Sequence, residues 1–153
     1  MPRKNCFVKI SGDILSDDVL EWIKTLSQEY FVVVCVGGGT QINEAFKKAG
    51  LPVGDFGPLG RETNSFQERR LAQNILEINQ TEIQDRLNAI GVRVNVVIPI
   101  LNIGTVLCHV NGDQFVLTAY LGFDVLYIVT TKDRVAEKKK FFSPYPKIQV
   151  VGF

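Results

Sequence analysis

Three groups of residues have types and spacings suited to holding an anion. The first is Gly37-Gly38-Gly39, which follows the apolar run YFVVVCV (30–36) and leads into an amphipathic stretch beginning at Thr40. A strand that runs through glycines into a helix sets bare backbone N–H groups where the positive end of the helix dipole lies, and phosphates or carboxylates bind there. The alternative is a tight strand-to-helix turn in which glycine supplies only close packing. Three adjacent glycines cost more backbone entropy than such a turn requires. The spacing is neither G-x-G-x-x-G nor a glycine loop closed by Gly-Lys-Ser, so neither of those phosphate signatures applies.

The second group is Lys9 in VKISGD (8–13), followed by Ser11 and Gly12. A lysine inside an apolar strand is costly to bury without an anionic partner, unless its face is open at a sheet edge. The third is Asn111-Gly112-Asp113, which ends one apolar run and opens a helix; a helix cap alone would account for it. If the sheet is open and mostly parallel, strand C-terminal ends share one edge, where Lys9, Gly37–Gly39 and the Thr130–Asp133 turn converge; Lys9 and Asp113 are expected to lie close together. Arg61 stands in the Gly/Pro-rich stretch LPVGDFGPLGRETN (51–64), where a side chain has the freedom to contact substrate. Arg69 and Arg70 read as surface ion-pairing groups. His109 is the single histidine and no serine or cysteine nucleophile pattern accompanies it, so its reading is structural.

The elements that must position these groups follow from periodicity. At 153 residues and 46% hydrophobic composition, the chain (1–153) suits one domain with one buried core. Strands are expected at 6–11, 30–36, 124–130 and 147–153. Ser16 caps a helix whose Val19, Leu20, Ile23 and Leu26 share a face, and Thr40 opens a second with Ile42, Ala45, Phe46 and Ala49 inward. Ser65 with Glu68, and Thr81 with Gln84, both show capping-box spacing, which predicts two helices or one broken helix ending at Gly91. VRVNVVIPI and TVLCHV flank LNIG as a hairpin-like pair. NGDQFVLTAYLG reads as a turn into a short helix, and DRVAEKKKFF as a helix whose lysines face solvent. Strands alternating with helices predict an α/β fold, a three-layer α/β/α sandwich around a mostly parallel sheet.

At this point three segments resemble the amino acid kinase family, and uridylate kinases in particular. VKISGDIL (8–15) is similar to the family's first strand, VVVCVGGG (32–39) to its second strand and glycine loop, and NGDQFVLTAYLGFDVLYIVT (111–130) to the segment ending in a nucleotide-contacting threonine. The resemblance implies ATP-dependent phosphoryl transfer, with Mg2+, to a small phosphate- or carboxylate-bearing acceptor. It also implies the roles: Lys9 neutralises the phosphoryl group and Asp113 orients Lys9. Ser11, Gly12 and Gly37–Gly39 hold phosphates, Thr130 and Asp133 lie beside the nucleotide, and Gly38, Gly39, Thr40, Arg61 and Asn111 face the acceptor. The family's Asp-Gly-Val-Tyr run reads Asp133-Arg134-Val135-Ala136 here and its later strands have no counterpart in the sequence; EKKK (137–140) could supply the family's second basic residue, with a solvated helix face as the favoured reading. A catalytically inactive form that binds a small anion or nucleotide, or serves in assembly, is the alternative on the same scaffold.

Charge narrows the partners. Lys plus Arg (17) nearly cancels Asp plus Glu (16), so no global field points to nucleic acid or membrane. No stretch reads as a signal peptide or membrane span. Cys6, Cys35 and Cys108 are too scattered for a disulfide framework or a zinc site, which fits reduced thiols and a cytoplasmic location. A homodimer through 65–90 is expected, because that stretch holds more apolar residues than a cover for one sheet face needs.

Overall fold

The structure, a computed structural model, describes residues 2–153. In chain order the first elements are β1 (Lys4–Ile10), α1 (Asp17–Glu29), β2 (Tyr30–Val36), α2 (Gly39–Lys48), β3 (Asp55–Gly57), β4 (Gly60–Glu62) and α3 (Phe66–Ala89). They are followed by β5 (Asn95–Val97), β6 (Ile100–Ile103), β7 (Val106–His109), α4 (Gly112–Ala119), β8 (Val125–Thr130), α5 (Val135–Phe141) and β9 (Ile148–Gly152). Short 3-10 turns at Gly12–Ile14 and Lys132–Arg134 precede α1 and α5.

Five strands form one parallel sheet in the order β5-β2-β1-β8-β9. Alternation along β1 sends Cys6, Val8 and Ile10 to one face, where they pack with Val19, Leu20 and Ile23 of α1 and Ile83 and Leu87 of α3. Phe7 goes to the other face, with Leu126 and Ile128 of β8, Val116 of α4 and Phe142 just after α5. The expected three-layer α/β/α sandwich is therefore what forms. A smaller apolar cluster, built on Ile42, Phe46, Ala72 and Leu76, joins α2 to α3. Each such side chain, fully buried, contributes roughly 1.5–3 kcal/mol.

The sheet order decides where a site can lie. From β1 the chain moves outward through β2 to β5, then returns to the other side of β1 for β8 and β9. Winding reverses between β1 and β8, and a crevice opens beyond the C-terminal ends of strands at such a reversal.

Three local expectations are corrected. Residues 66–89 form one unbroken helix. Ser65 caps it, its Oγ accepting from the Glu68 N–H at 3.1 Å, while the Glu68 carboxylate accepts from the Asn64 N–H at 2.8 Å. The repeat of that spacing at Thr81 and Gln84 does not start a helix. Gln84 is instead drawn into tertiary bonds, donating to the Val94 carbonyl at 2.9 Å and accepting from the Val96 N–H at 3.2 Å. In the segment 92–109, Asn95–Val97 joins β2 in the main sheet, and only β6 and β7 form the hairpin. Its turn falls at Gly104 and Thr105, both at positive φ, rather than across LNIG. The Gly/Pro-rich stretch 51–64 holds the small antiparallel pair β3–β4.

Most apolar residues of α3 face the core, while Phe66 and Ile78 are exposed. Its outward row reads Asn74, Glu77, Ile78, Thr81, Glu82 and Asp85, in which Ile78 is the one large apolar side chain. Since Thr81 is an exposed mid-helix position, Thr81→Ala is expected to raise stability by about 0.5 kcal/mol through helix propensity. A helix start at Thr81 would instead lose about 1 kcal/mol on losing its cap. Urea denaturation of the two proteins separates these outcomes.

Candidate functional site

Lys9 is the second-to-last residue of β1 and follows Phe7 in the alternation, so its side chain leaves the sheet on the α4 and α5 face, beside Cys35 of β2 and Ile128 of β8. There α4 begins. Asn111 caps it, its Oδ1 accepting from the Asp113 N–H at 2.9 Å, and this places the Asp113 carboxylate in the first turn. The Lys9 Nζ lies 3.3 Å from Asp113 Oδ1, which meets the expectation that the two residues adjoin. A second ammonium, Lys138 of α5, donates to Asp113 Oδ2.

The three side chains are only 12–13% exposed, so one carboxylate holds two cations nearly out of water. The Lys9 contact is at ion-pair distance without hydrogen-bond geometry, and Oδ1 remains unbonded. Burial by itself would raise the Asp113 pKa, but Lys9 and Lys138 outweigh it and hold the carboxyl below its ordinary range. The cluster carries a surplus positive charge. It forms one wall of a cleft of about 350 Å³ that also takes in Ser11, Gly37–Gly39, Thr40 and Asn111.

The glycine loop divides its labour. The Gly37 N–H is already bonded to the Ile10 carbonyl at 3.0 Å. At Gly38 a Cβ would come within 2.6 Å of Asn79 Nδ2 and 3.2 Å of Leu76 Cδ2, so this glycine is required by packing against α3. Asn79, buried in α3, holds the loop by donating to the Gly37 carbonyl at 3.2 Å. A Cβ at Gly39 would meet nothing within 4 Å. Gly38 opens α2 without any side-chain cap, and the first bond within the helix runs from Ile42 N–H to the Gly38 carbonyl at 2.9 Å. The N–H groups of Gly39, Thr40 and Gln41 thus precede that ladder, as the first donors of a helix do. The two positions differ: Gly38 is closely packed against α3, whereas the backbone at Gly39 is open.

The remaining expected site residues separate. Ser11 caps the 3-10 turn, and Thr40 donates to Asp13 Oδ2 at 3.1 Å, both at the cleft. Gly12 lies behind the lining, where a Cβ would sit 2.7 Å from the Gly37 carbonyl oxygen. Thr130 is buried at the end of β8, its carbonyl accepting from Phe153 N–H at 3.0 Å, and Asp133 is exposed; neither lines the cleft, whereas Arg134 does. Arg61 lines it but is already engaged by Asn43 Oδ1 at 2.7 Å and by the Val53 carbonyl. Lys138 was assigned to a solvated face, and the structure places it in the site. The signal was present: Val135, Lys138 and Phe142 follow the three- and four-residue spacing of one helix face. His109 lines the cleft, and burial, which outweighs a hydrogen bond with the Arg69 backbone, lowers its pKa. Cys6 and Cys35 are buried free thiols, each pushed up to about 12 by burial. Among the described residues no helix is long and apolar enough to cross a membrane.

No protein-family model and no curated protein matches the sequence. Several solved structures are similar in fold, among them these two. The smu.665 protein of Streptococcus mutans UA159 superposes with a TM-score of 0.69 at 17% identity, over 90% of this chain and 82% of that one. N-acetylglutamate synthase from Neisseria gonorrhoeae, solved with coenzyme A and L-arginine, superposes with a TM-score of 0.54 at 14% identity, over 85% of this chain and 44% of the synthase. At such identities the likeness is one of fold alone.

Two outcomes follow from the geometry. Asp113→Asn leaves two nearly buried ammonium groups without a counter-charge and is expected to cost about 3 kcal/mol in urea denaturation near neutral pH. The Asp113 contribution is complete above the unfolded-state carboxyl pKa and fades as pH falls through the lower folded-state value, so the gap between the two proteins should close below about pH 4. Gly38→Ala is expected to destabilise by about 1–3 kcal/mol through overpacking. Gly39→Ala should stay within about 0.5 kcal/mol of the parent, measured the same way.

Proposed function

We propose that the cleft binds the phosphoryl groups of ATP and passes the terminal one to a small phosphate- or carboxylate-bearing acceptor. The observation that carries this reading is the pair of lysines sharing one carboxylate opposite an uncapped helix N-terminus. Two cations against one anion leave a surplus charge that a phosphoryl group would neutralise. Phosphoryl transfer asks a protein chiefly for positioning and for charge neutralisation where negative charge spreads in the transition state.

In this reading Lys9 and Lys138 flank the transferring group, and Asp113 fixes both ammonium positions without itself touching the ligand. The first N–H groups of α2 hold phosphate oxygens. The second basic residue that the family resemblance calls for is supplied by α5. Mg2+ would supply charge neutralisation on the nucleotide. Asp113 faces a lysine ammonium at each oxygen, and among the described residues no three His, Cys, Asp or Glu side chains cluster, so the ion would arrive on the phosphates rather than in a protein cage. The nucleoside cannot rely on Thr130 and Asp133, which lie off the cleft lining.

A thermal-shift panel of ATP, other nucleotides and pyrophosphate, with and without Mg2+, tests the reading, because a ligand that binds only the folded state raises the melting temperature. Phosphate-bearing ligands should stabilise the parent, and Lys138→Met should remove that stabilisation. Stabilisation that survives in both Lys9→Met and Lys138→Met would overturn the reading. Where ADP formation is detected, Lys9→Ala should lower its rate more than it lowers nucleotide affinity. Binding without ADP formation across an acceptor panel would instead mark a phosphate-binding protein built on an enzyme scaffold.

A further inference from the structure

The β3–β4 hairpin contributes Phe56 and Arg61 to the lining of the cleft and is anchored on both sides. Toward α4, the Leu59 carbonyl accepts from the Asn111 N–H at 2.7 Å, next to the cap of that helix. Gly60 makes this approach feasible: its φ is 142°, and a Cβ would sit 2.6 Å from the Asn111 backbone nitrogen. Toward α2, Arg61 reaches from β4 and donates to Asn43 Oδ1 at 2.7 Å, to the Gly39 carbonyl at 3.5 Å and to the Val53 carbonyl. Its guanidinium stands 5.3 Å from the Phe46 ring centroid of α2 and 4.6 Å from that of Phe56 on β3.

These contacts account for both terminal nitrogens of Arg61. A guanidinium that grips a carboxylate or phosphate bidentately needs two parallel donors free. Here both terminal nitrogens already donate to the chain, between two aromatic rings. The same contacts join the N-terminal halves of α2 and α4, the two helices whose N-termini face the cleft. Phe56 and Arg61 line the larger cleft, and Pro58 lines a smaller one of about 270 Å³ on the other side of Asp113 and Lys138.

We propose that Arg61 is a positioning residue that pins the β3–β4 hairpin as a roof between α2 and α4, and that it acts on the bound ligand through this roof rather than by touching it. The role of the roof in ligand retention rests on the phosphate-binding reading of the cleft; the pin itself does not. Removing the pin lifts the hairpin from one side, and crowding Gly60 lifts it from the other. Either change opens the same roof.

The experiment is a double-mutant cycle on the full chain with Arg61→Met, Gly60→Ala and the combination, and pyrophosphate as the probe. Each single change is expected to speed pyrophosphate dissociation about tenfold, and the double change no further, because both act through one element. Without ligand, amide hydrogen exchange should show the Asn111 N–H losing protection in both single variants while β1 and β2 amides keep theirs, which marks a local opening. Multiplicative effects in the double variant would show that the two residues act independently rather than through one roof, and overturn the proposal. So would unchanged protection of Asn111 in Arg61→Met. If pyrophosphate fails to bind the parent, the phosphate reading falls, while the exchange measurement still decides whether Arg61 pins the hairpin.

Discussion

One carboxylate, Asp113, holds two ammonium groups that come from opposite ends of the chain, Lys9 on the central strand and Lys138 on the last helix. Taking three charges this far out of water carries a large desolvation cost, repaid only when the partners stand close and fixed. That requirement reaches into the fold. β1 must be central so that Lys9 is flanked on both sides, α4 must begin just past the sheet edge so that Asn111 can orient Asp113, and α5 must fold back across β8 to deliver Lys138. Asp113 balances only one of the two lysine charges, and the cluster stands in the wall of a cleft that also takes in Asp13 and Arg134.

The opposite wall is backbone. α2 starts at Gly38 with no side chain over its first N–H groups, and α3 keeps the preceding loop in place through Asn79 and Leu76. A long helix that mainly covers the sheet therefore also sets the height of the glycine loop. This explains why a polar residue, Asn79, is kept buried in α3: its amide satisfies the Gly37 carbonyl, which a hydrophobic residue would leave unpaired. The β3–β4 hairpin spans the two walls, tied to the cap of α4 by Leu59 and to α2 by Arg61.

Much of the fold was legible because it rests on local patterns. Apolar runs, alternating or continuous, marked the strands near 6–11, 30–36, 124–130 and 147–153, and Ser16 and Ser65 cap the helices their spacing announced. The failures share one cause, that a local signal was outweighed by a distant partner. Gln84 had capping-box spacing from Thr81 but was recruited by the backbone of Val94 and Val96. VRVNVVIPI looked like half of a hairpin, yet Asn95–Val97 found an open edge on β2.

For the site, residue type and spacing alone determined that Lys9 needed an anionic partner, that Asp113 would open a helix, and that the glycines would stand between a strand and a helix. Those statements depend on desolvation and backbone geometry, which act over a few residues. Tertiary structure decided which groups share the cleft. It brought Lys138 in from a lysine run whose composition looks solvated, left Thr130 and Asp133 outside the lining, and turned Arg61 inward onto Asn43 and two phenylalanines. The physical reason is that a long cationic side chain takes its role from the nearest low-dielectric wall and counter-charge, and for Lys138 that counter-charge lies 25 residues away in sequence.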